Sequence, residues 1–338
     1  MTKTAQESFA VIAHTLLPSP SIPCDLCGST DEEELCLTDR DGNHLRTMIC
    51  RSCGLVYSYP RPGSKQVRDY YEHSYRMDYK ATFQPKPKHV YRAGKVALAR
   101  FHRLAPILKR GSRVLDFGAG SGEVVFVLRA MGYDASGFEP NGGYAQFASE
   151  VLGLPVAHNF YQEARIEPES QDFITAFHVL EHLESPYDAL GYMNQCLRPG
   201  GQVMVDVPNV EAICQWPRSR FHRAHLFNFS PATLNMLGRK LGYKVVSSSV
   251  SADGGNITVV FQKGGTASPV SGEIPGNYER VSSLVRGHTA WRHVLSRHPY
   301  TRPFHKIAAR LEELRAVRKT MSPREILDGL IARELRDA

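Results

Sequence analysis

Hydrophobic and polar positions change rhythm along the chain. Residues 35–49 alternate on either side of a polar turn: Leu35-Cys36-Leu37-Thr38, then Asp39-Arg40-Asp41-Gly42-Asn43, then Leu45-Arg46-Thr47-Met48-Ile49. This predicts two short strands joined by a hairpin at Asp41-Gly42. Residues 90–109 have the spacing of an amphipathic helix. From residue 113 onward, short apolar runs alternate with helical stretches. Val114 and Leu115 predict a strand ending at Asp116. Val124, Val125, Val127 and Leu128 predict a helix stopped by Gly132, and Ala135–Phe138 a strand ending at Glu139. Further strands are expected at 173–177, 203–207, 243–249 and 256–262. Ser185-Pro186 and Ser230-Pro231 each supply an N-cap with proline at the first helical position, and Gly242 terminates the second of these helices. Such alternation predicts an α/β fold, a doubly wound parallel sheet that binds ligands at the carboxyl ends of its strands.

The last sixty residues read as helices with two apolar stripes. Ile307, Leu311, Leu314 and Val317 form the first; Ile326, Leu327, Leu330, Ile331 and Leu335 form the second, after Ser322-Pro323. A stripe of this kind packs on the main body or on a second copy of the chain, so a homodimer is one reading of it. Alternating Glu and Arg around 312–318 predicts a solvated helix with local ion pairs. A basic helix lying on a membrane surface is the less favoured reading.

Charge first points elsewhere. The 338 residues carry 41 Lys and Arg against 34 Asp and Glu, a formal +7. A basic balance invites a nucleic-acid or membrane-surface partner. Yet +5 of the excess lies after residue 265, leaving +2 on the preceding chain. No run of about 18 apolar residues occurs, so no membrane span is expected. Residues 9–17 lack the flanks of a signal peptide, and the expected location is cytoplasmic.

Of seven cysteines, Cys24, Cys27, Cys50 and Cys53 form two C-x-x-C pairs, each followed by glycine. Two such turns present four thiolates, the donor set of a tetrahedral structural Zn²⁺. With the hairpin between them they predict a zinc ribbon, whose closed coordination leaves the metal a structural role. A thioredoxin-like redox pair would need a strand–helix context that is missing here. Cys36 is read as a spare thiol. The exit Tyr57-Ser-Tyr-Pro-Arg-Pro-Gly63 leads to a tyrosine-rich stretch (Tyr70, Tyr71, Tyr75, Tyr79), expected to cover an interface between domains.

Asp116-Phe-Gly118-Ala119-Gly120-Ser-Gly122 opens the first helix of the β–α–β unit, and Glu139 follows at the tip of the next strand. Glycines there let backbone amides approach a ligand, and the carboxylate accepts hydrogen bonds from ribose hydroxyls. The spacing departs from G-x-G-x-x-G. An acid at the first strand end repels pyrophosphate and suits a cofactor bearing an ammonium and a sulfonium.

The run Val114-Leu-Asp-Phe-Gly-Ala-Gly-Ser-Gly122 resembles motif I of class I S-adenosylmethionine-dependent methyltransferases. Asp172-Phe-Ile-Thr-Ala-Phe-His-Val-Leu-Glu-His182 resembles the fourth strand of the branch that includes ubiquinone-biosynthesis methyltransferases. Leu197-Arg-Pro-Gly-Gly-Gln-Val-Met-Val205 resembles its fifth strand, and His225–Leu234 with Leu241–Val246 the approach to its sixth. The match spans about residues 106–264. With the N-terminal cysteine module, the chain is similar to deoxysugar C-methyltransferases, from which it departs in a shorter, helical C-terminal region. The resemblance implies a Rossmann-like domain binding S-adenosylmethionine through Asp116, Gly118, Ala119, Gly120, Gly122, Glu139 and Pro140. It implies that Asn159 and Phe160 meet the adenine, and that Phe177 and His178 line the pocket near the methionine moiety. It places His225 toward the substrate as the candidate base, ahead of His222 and Tyr187, with Asn209 orienting the acceptor. His178-Val-Leu-Glu-His182 also matches H-x-x-E-H, but a strand-end and a helix-start histidine are not expected to share a metal as they do in proteases.

The chain then divides into a tail (1–20), a zinc ribbon (21–62), a helical linker (63–105), the methyltransferase domain (106–264) and a basic helical extension (265–338). The expected reaction is methyl transfer to carbon or oxygen of a small-molecule acceptor, a sugar or secondary metabolite. The rivals are an RNA methyltransferase gripping nucleic acid through ribbon and tail, and a binding protein that keeps the cofactor without turnover.

Overall fold

The computed structural model describes residues 23–69, 85–264, 272–317 and 321–337. The tyrosines at 70, 71, 75 and 79, and the 1–20 segment, lie outside the described residues.

The cysteine-rich segment folds as anticipated from its alternation. Strand β1 (Glu32–Thr38) and strand β2 (His44–Cys50) pair antiparallel across the Asp41-Gly42 turn, and β3 (Val56–Tyr59) pairs with β2. The sheet does not end there. A two-residue strand from the larger domain, β9 (Phe227–Asn228), adds to β3, with Tyr57 opposite Phe227. Tyr57 and Phe227 are both buried, so ribbon and main domain share one apolar cluster.

Helix α1 (Ser64–Asp69) and helix α2 (Pro87–Leu104) precede the main sheet. That sheet comprises β4 (Arg113–Phe117), β5 (Asp134–Glu139), β6 (Val156–His158), β7 (Gln171–Phe177), β8 (Leu197–Pro208), β10 (Tyr243–Val250) and β11 (Asn256–Lys263). Its order is β10-β11-β8-β7-β4-β5-β6. The strands β8-β7-β4-β5-β6 are parallel, and β11 runs antiparallel between β8 and β10. Chain order reverses between β4 and β7, the switch point beside which open α/β sheets bind ligands.

Helix α3 (Glu123–Ala130) follows β4, and helix α4 (Gly142–Gln146) follows β5. Helix α5 (Pro186–Cys196) is capped by the Ser185 side chain. Helix α6 (Pro231–Lys240) starts with a reciprocal Ser230–Thr233 capping box. Both proline-led starts therefore hold, because each cap accepts an otherwise orphaned amide.

The described C-terminal helices pack in more than one place. Helix α7 (Asn277–Gly287) packs on the ribbon, where Val281 joins Ile49 and Val56. After the short helix α8 (Ala290–Val294) come α9 (His298–Ala316) and α10 (Pro323–Asp337). Ile326, Leu327, Leu330 and Ile331 of α10 are buried against α2 and α3. Gly94 permits this docking: a Cβ there would lie 2.7 Å from the Leu327 and Leu330 side chains.

The first stripe behaves differently from the second. Ile307, Leu311 and Leu314 face outward, as does Leu335. Helix α9 turns its polar side inward instead, because Glu313 pairs with Arg92 and Glu312 with Lys95 (2.5 Å) on α2. Among the described residues, no helix is long and apolar enough to cross a membrane.

Candidate functional site

Two centres emerge. In the ribbon, the four sulfurs of Cys24, Cys27, Cys50 and Cys53 lie within 4.8 Å of one another. Cys24 and Cys53 sulfurs are 3.6 Å apart, and Cys27 and Cys50 sulfurs 3.4 Å. Zn–S bonds of about 2.3 Å in a tetrahedron imply sulfur–sulfur separations near 3.8 Å, so the donor set fits zinc. The two knuckles are built alike: Gly28 N–H donates to the Cys24 carbonyl and Gly54 N–H to that of Cys50, both glycines at positive φ. Cys36 stands apart and packs against the cluster of Ile49, Val56, Val210, Phe221 and Val281.

The second centre is a cavity of about 1100 Å³ at the carboxyl ends of β4, β5 and β7. Asp116, Gly118, Ala119 and Gly120 line it from the turn after β4, and Glu139 and Pro140 from the tip of β5. Glu139 is buried; its Oε2 accepts the Gly120 amide at 2.8 Å and its Oε1 the Asn141 amide at 3.1 Å. The glycine turn and the acidic strand tip are thus one hydrogen-bonded unit. Burial raises the Asp116 carboxyl to about 6, against the hydrogen bond from Thr175 Oγ1 (2.6 Å). A cationic cofactor would restore the charge that burial opposes.

Phe160, Phe177 and His178 also reach the cavity; Gly122 and Asn159 do not line it. Gly122 serves packing: at φ 87° it caps α3, and a Cβ there would meet Leu154 at 2.7 Å. Asn159 lies past the end of the edge strand β6, while its neighbour Phe160 sits under the Arg68 guanidinium, 4.9 Å from the ring centre. Asn209 is taken up in joining β8 to the 251–256 turn, donating to the Gly254 carbonyl at 3.1 Å. Tyr187 packs with the hydrophobic core, near Lys240.

Across the cavity lie four histidines and a carboxylate. His178 follows β7 with φ 57°, a conformation that costs a non-glycine residue energy and recurs at functional sites. Its Nδ1 is 3.3 Å from Glu181 Oε1. His182 donates from Nδ1 to the Ala224 carbonyl at 2.8 Å, and its Nε2 lies 3.8 Å from Glu181 Oε1. The His225 ring stands edge-on to His182, centres 4.9 Å apart, and 5.4 Å from that of His222. Burial penalises the Glu181 charge, but His182 and the hydrogen-bonded His178 outweigh it and hold the acid at about 2. Burial, reinforced by His182, holds His225 well below the ordinary imidazole value.

Sequence reasoning singled out His225 and His178 but not the Glu181–His182 pair as site residues, nor Arg100. Arg100 lies on the amphipathic α2, stacks over Phe177 at 4.3 Å and lines the cavity near Asp116. Nothing in its local pattern marks it. The H-x-x-E-H string was a signal for Glu181 and His182. Its third partner proves to be His225 from a distant loop, because the short helical turn Leu180–His182 points both side chains toward that loop.

Residues 89–248 match a family model described as a methyltransferase domain. The tRNA U34 carboxymethyltransferase of Azotobacter vinelandii is 29% identical over 157 residues, covering 43% of this chain and 49% of that one. The ubiquinone biosynthesis O-methyltransferase of Roseobacter denitrificans is 33% identical over 97 residues, covering 27% and 39%. This chain thus spans about half or less of the length of these curated relatives. A solved SAM-dependent methyltransferase from Archaeoglobus fulgidus is 18% identical with a TM-score of 0.43, covering 50% of this chain and 94% of that one. Residues 89–248 thus carry a methyltransferase domain, and the glycine turn and sheet order give it the class I, S-adenosylmethionine-dependent fold.

Proposed function

We propose that the protein transfers the methyl group of S-adenosylmethionine to a carbon or oxygen of a small molecule, a sugar or secondary metabolite. The cofactor occupies the Asp116–Gly120 turn, with Glu139 on the ribose, Phe160 beside the adenine, and Phe177 and His178 along the methionine end. The acceptor meets the methyl group at the His182–His225 side. Methyl transfer needs the nucleophile held in line with the methyl–sulfur bond and its acidic hydrogen removed. In the ion-free site His225, kept neutral by burial, is the group that takes this proton. Zinc in the ribbon is structural, held by Cys24, Cys27, Cys50 and Cys53.

The observation that carries a small acceptor is the wall on the His225 side. The ribbon hairpin leans over it: the Arg40 amide donates to the Phe221 carbonyl at 2.9 Å, and Arg223 reaches buried Asp39 at 3.6 Å. A cavity of about 1100 Å³ suits cofactor plus a compact acceptor, since small-molecule pockets are ~300–1,000 Å³. The test is transfer of labelled methyl from S-adenosylmethionine into pools of sugar nucleotides and of phenolic or enolic metabolites. His225→Ala should lower turnover 10²-fold or more, on the order of a lost general base, while cofactor affinity holds. Unchanged turnover removes His225 from the mechanism. Cofactor binding with no transfer to any acceptor would favour the binding-protein reading.

A second reading, an RNA acceptor, draws on relatives named as tRNA U34 carboxymethyltransferases and on Arg40, Arg68 and Arg92 around the cavity. Label entering RNA, with affinity falling steeply as salt rises, would favour it over the first.

A further inference from the structure

Glu181, His182 and His225 each offer one ligand atom, and these atoms lie within 4.8 Å of one another. Two further observations single the cluster out. Glu181 is 1% exposed, and its Oε2 has no hydrogen-bond partner. A buried carboxylate oxygen left so is costly unless something binds it. His182, in turn, is held by its Nδ1–H on the Ala224 carbonyl, which turns Nε2 toward Glu181. Histidines that ligate metals are typically fixed in this way, the second ring nitrogen donating to a backbone carbonyl or carboxylate. His178 Nδ1 lies 3.3 Å from Oε1, the same Glu181 oxygen that His182 Nε2 approaches, so Oε2 is the oxygen left over.

We propose that Glu181, His182 and His225 form a second metal centre, separate from the ribbon, that takes one divalent first-row transition ion. Two imidazoles and one carboxylate are the donor types such ions accept, and three protein ligands leave coordination positions open toward the cavity. The role of the ion rests on the methyl-transfer reading above; its binding does not. An acceptor hydroxyl or enol would coordinate in an open position and lose its proton to solvent, which coordination favours by lowering its pKa. The resulting anion supplies the electron pair that forms the new bond to the methyl carbon. The carbon–sulfur bond breaks, and its electrons stay on sulfur as the neutral thioether. In the ion-loaded protein His225 is therefore a ligand, and the acceptor's proton is lost without passing through its ring.

Mn²⁺ is the appropriate probe, because four thiolates hold zinc in the ribbon while nitrogen and oxygen donors accept manganese. Electron paramagnetic resonance of full-length, zinc-loaded protein titrated with Mn²⁺ should show one bound ion per chain. Glu181→Gln and His182→Asn should each weaken binding at least tenfold, with ribbon zinc content and melting temperature retained. Wild-type protein that binds no Mn²⁺ overturns the proposal whatever the variants do. So does binding unchanged in a folded Glu181→Gln protein. Methyl transfer that persists at full rate after every ion but the ribbon zinc is removed overturns the ion's role and leaves His225 as the base. Mn²⁺ bound at the cluster without transfer to any acceptor supports the site and fails the methyl-transfer reading instead.

Discussion

The backbone amide of Arg40, at the tip of the ribbon hairpin, donates to the carbonyl of Phe221, 2.9 Å away, beside the loop that carries His225. A cysteine module at one end of the chain thereby walls the cavity of the domain that follows it. The same loop continues into β9, which pairs with β3.

This coupling predicts that a zinc ion held by the four ribbon thiolates would affect the acceptor more than the cofactor. Cys53→Ser breaks the four-thiolate set, and a ribbon of this size holds little core without metal. Zinc content should fall, the melting temperature should drop by several degrees, and turnover should decline at least tenfold. Cofactor affinity, measured by calorimetry in the protein that remains folded, should change less than threefold. An equal loss of both would mean that the ribbon acts through global stability alone.

Glu139 should govern cofactor affinity. Its carboxylate is fixed by the Gly120 and Asn141 amides with a charged oxygen on the cavity. Hydrogen bonds to charged groups contribute about 1.5–3 kcal/mol, so Glu139→Ala should weaken S-adenosylmethionine binding by roughly ten- to a hundredfold. Asn159→Ala, one element further on, should leave affinity within a factor of two.

Asp116 gives a pH dependence with a definite sign. Its folded-state value, about 6, lies above the ordinary 3.8, so the folded protein holds this proton more tightly than the unfolded chain. Between these values, rising pH costs the cofactor-free protein stability; above about 6 the loss is complete. Binding of a cationic cofactor should show the opposite trend, strengthening as pH rises through about 6 and then levelling. In Asp116→Asn the inflection should vanish. Calorimetric titrations from pH 5 to 8 would check both.

Gly94→Val should separate α10 from α2. The added side chain would meet Leu327 and Leu330 where even a Cβ is too close. Overpacking of this kind costs about 1–3 kcal/mol, to be read from denaturant unfolding. Ala substitutions at Ile307 or Leu311, which face outward, should cost under about 0.5 kcal/mol in the monomer.

The sequence by itself determined what local chemistry dictates. Two C-x-x-C-Gly turns place four thiols in short loops. The Asp116–Gly122 turn and the Glu139 strand tip belong to one β–α–β unit, and Ser185-Pro186 and Ser230-Pro231 start their helices whatever surrounds them. Each of these depends on neighbours along the chain. Only the tertiary structure decided which distant side chains meet. His225 joins Glu181 and His182 because the loop before β9 folds back along the end of β7. Arg100 enters the cavity because α2 crosses beside Phe177. The two tail stripes look alike in sequence, yet Leu327 is buried and Leu311 exposed. Gly94 offers α10 a close approach, whereas Arg92 and Lys95 draw the charged side of α9 inward, and neither surface is encoded in the helix that docks on it.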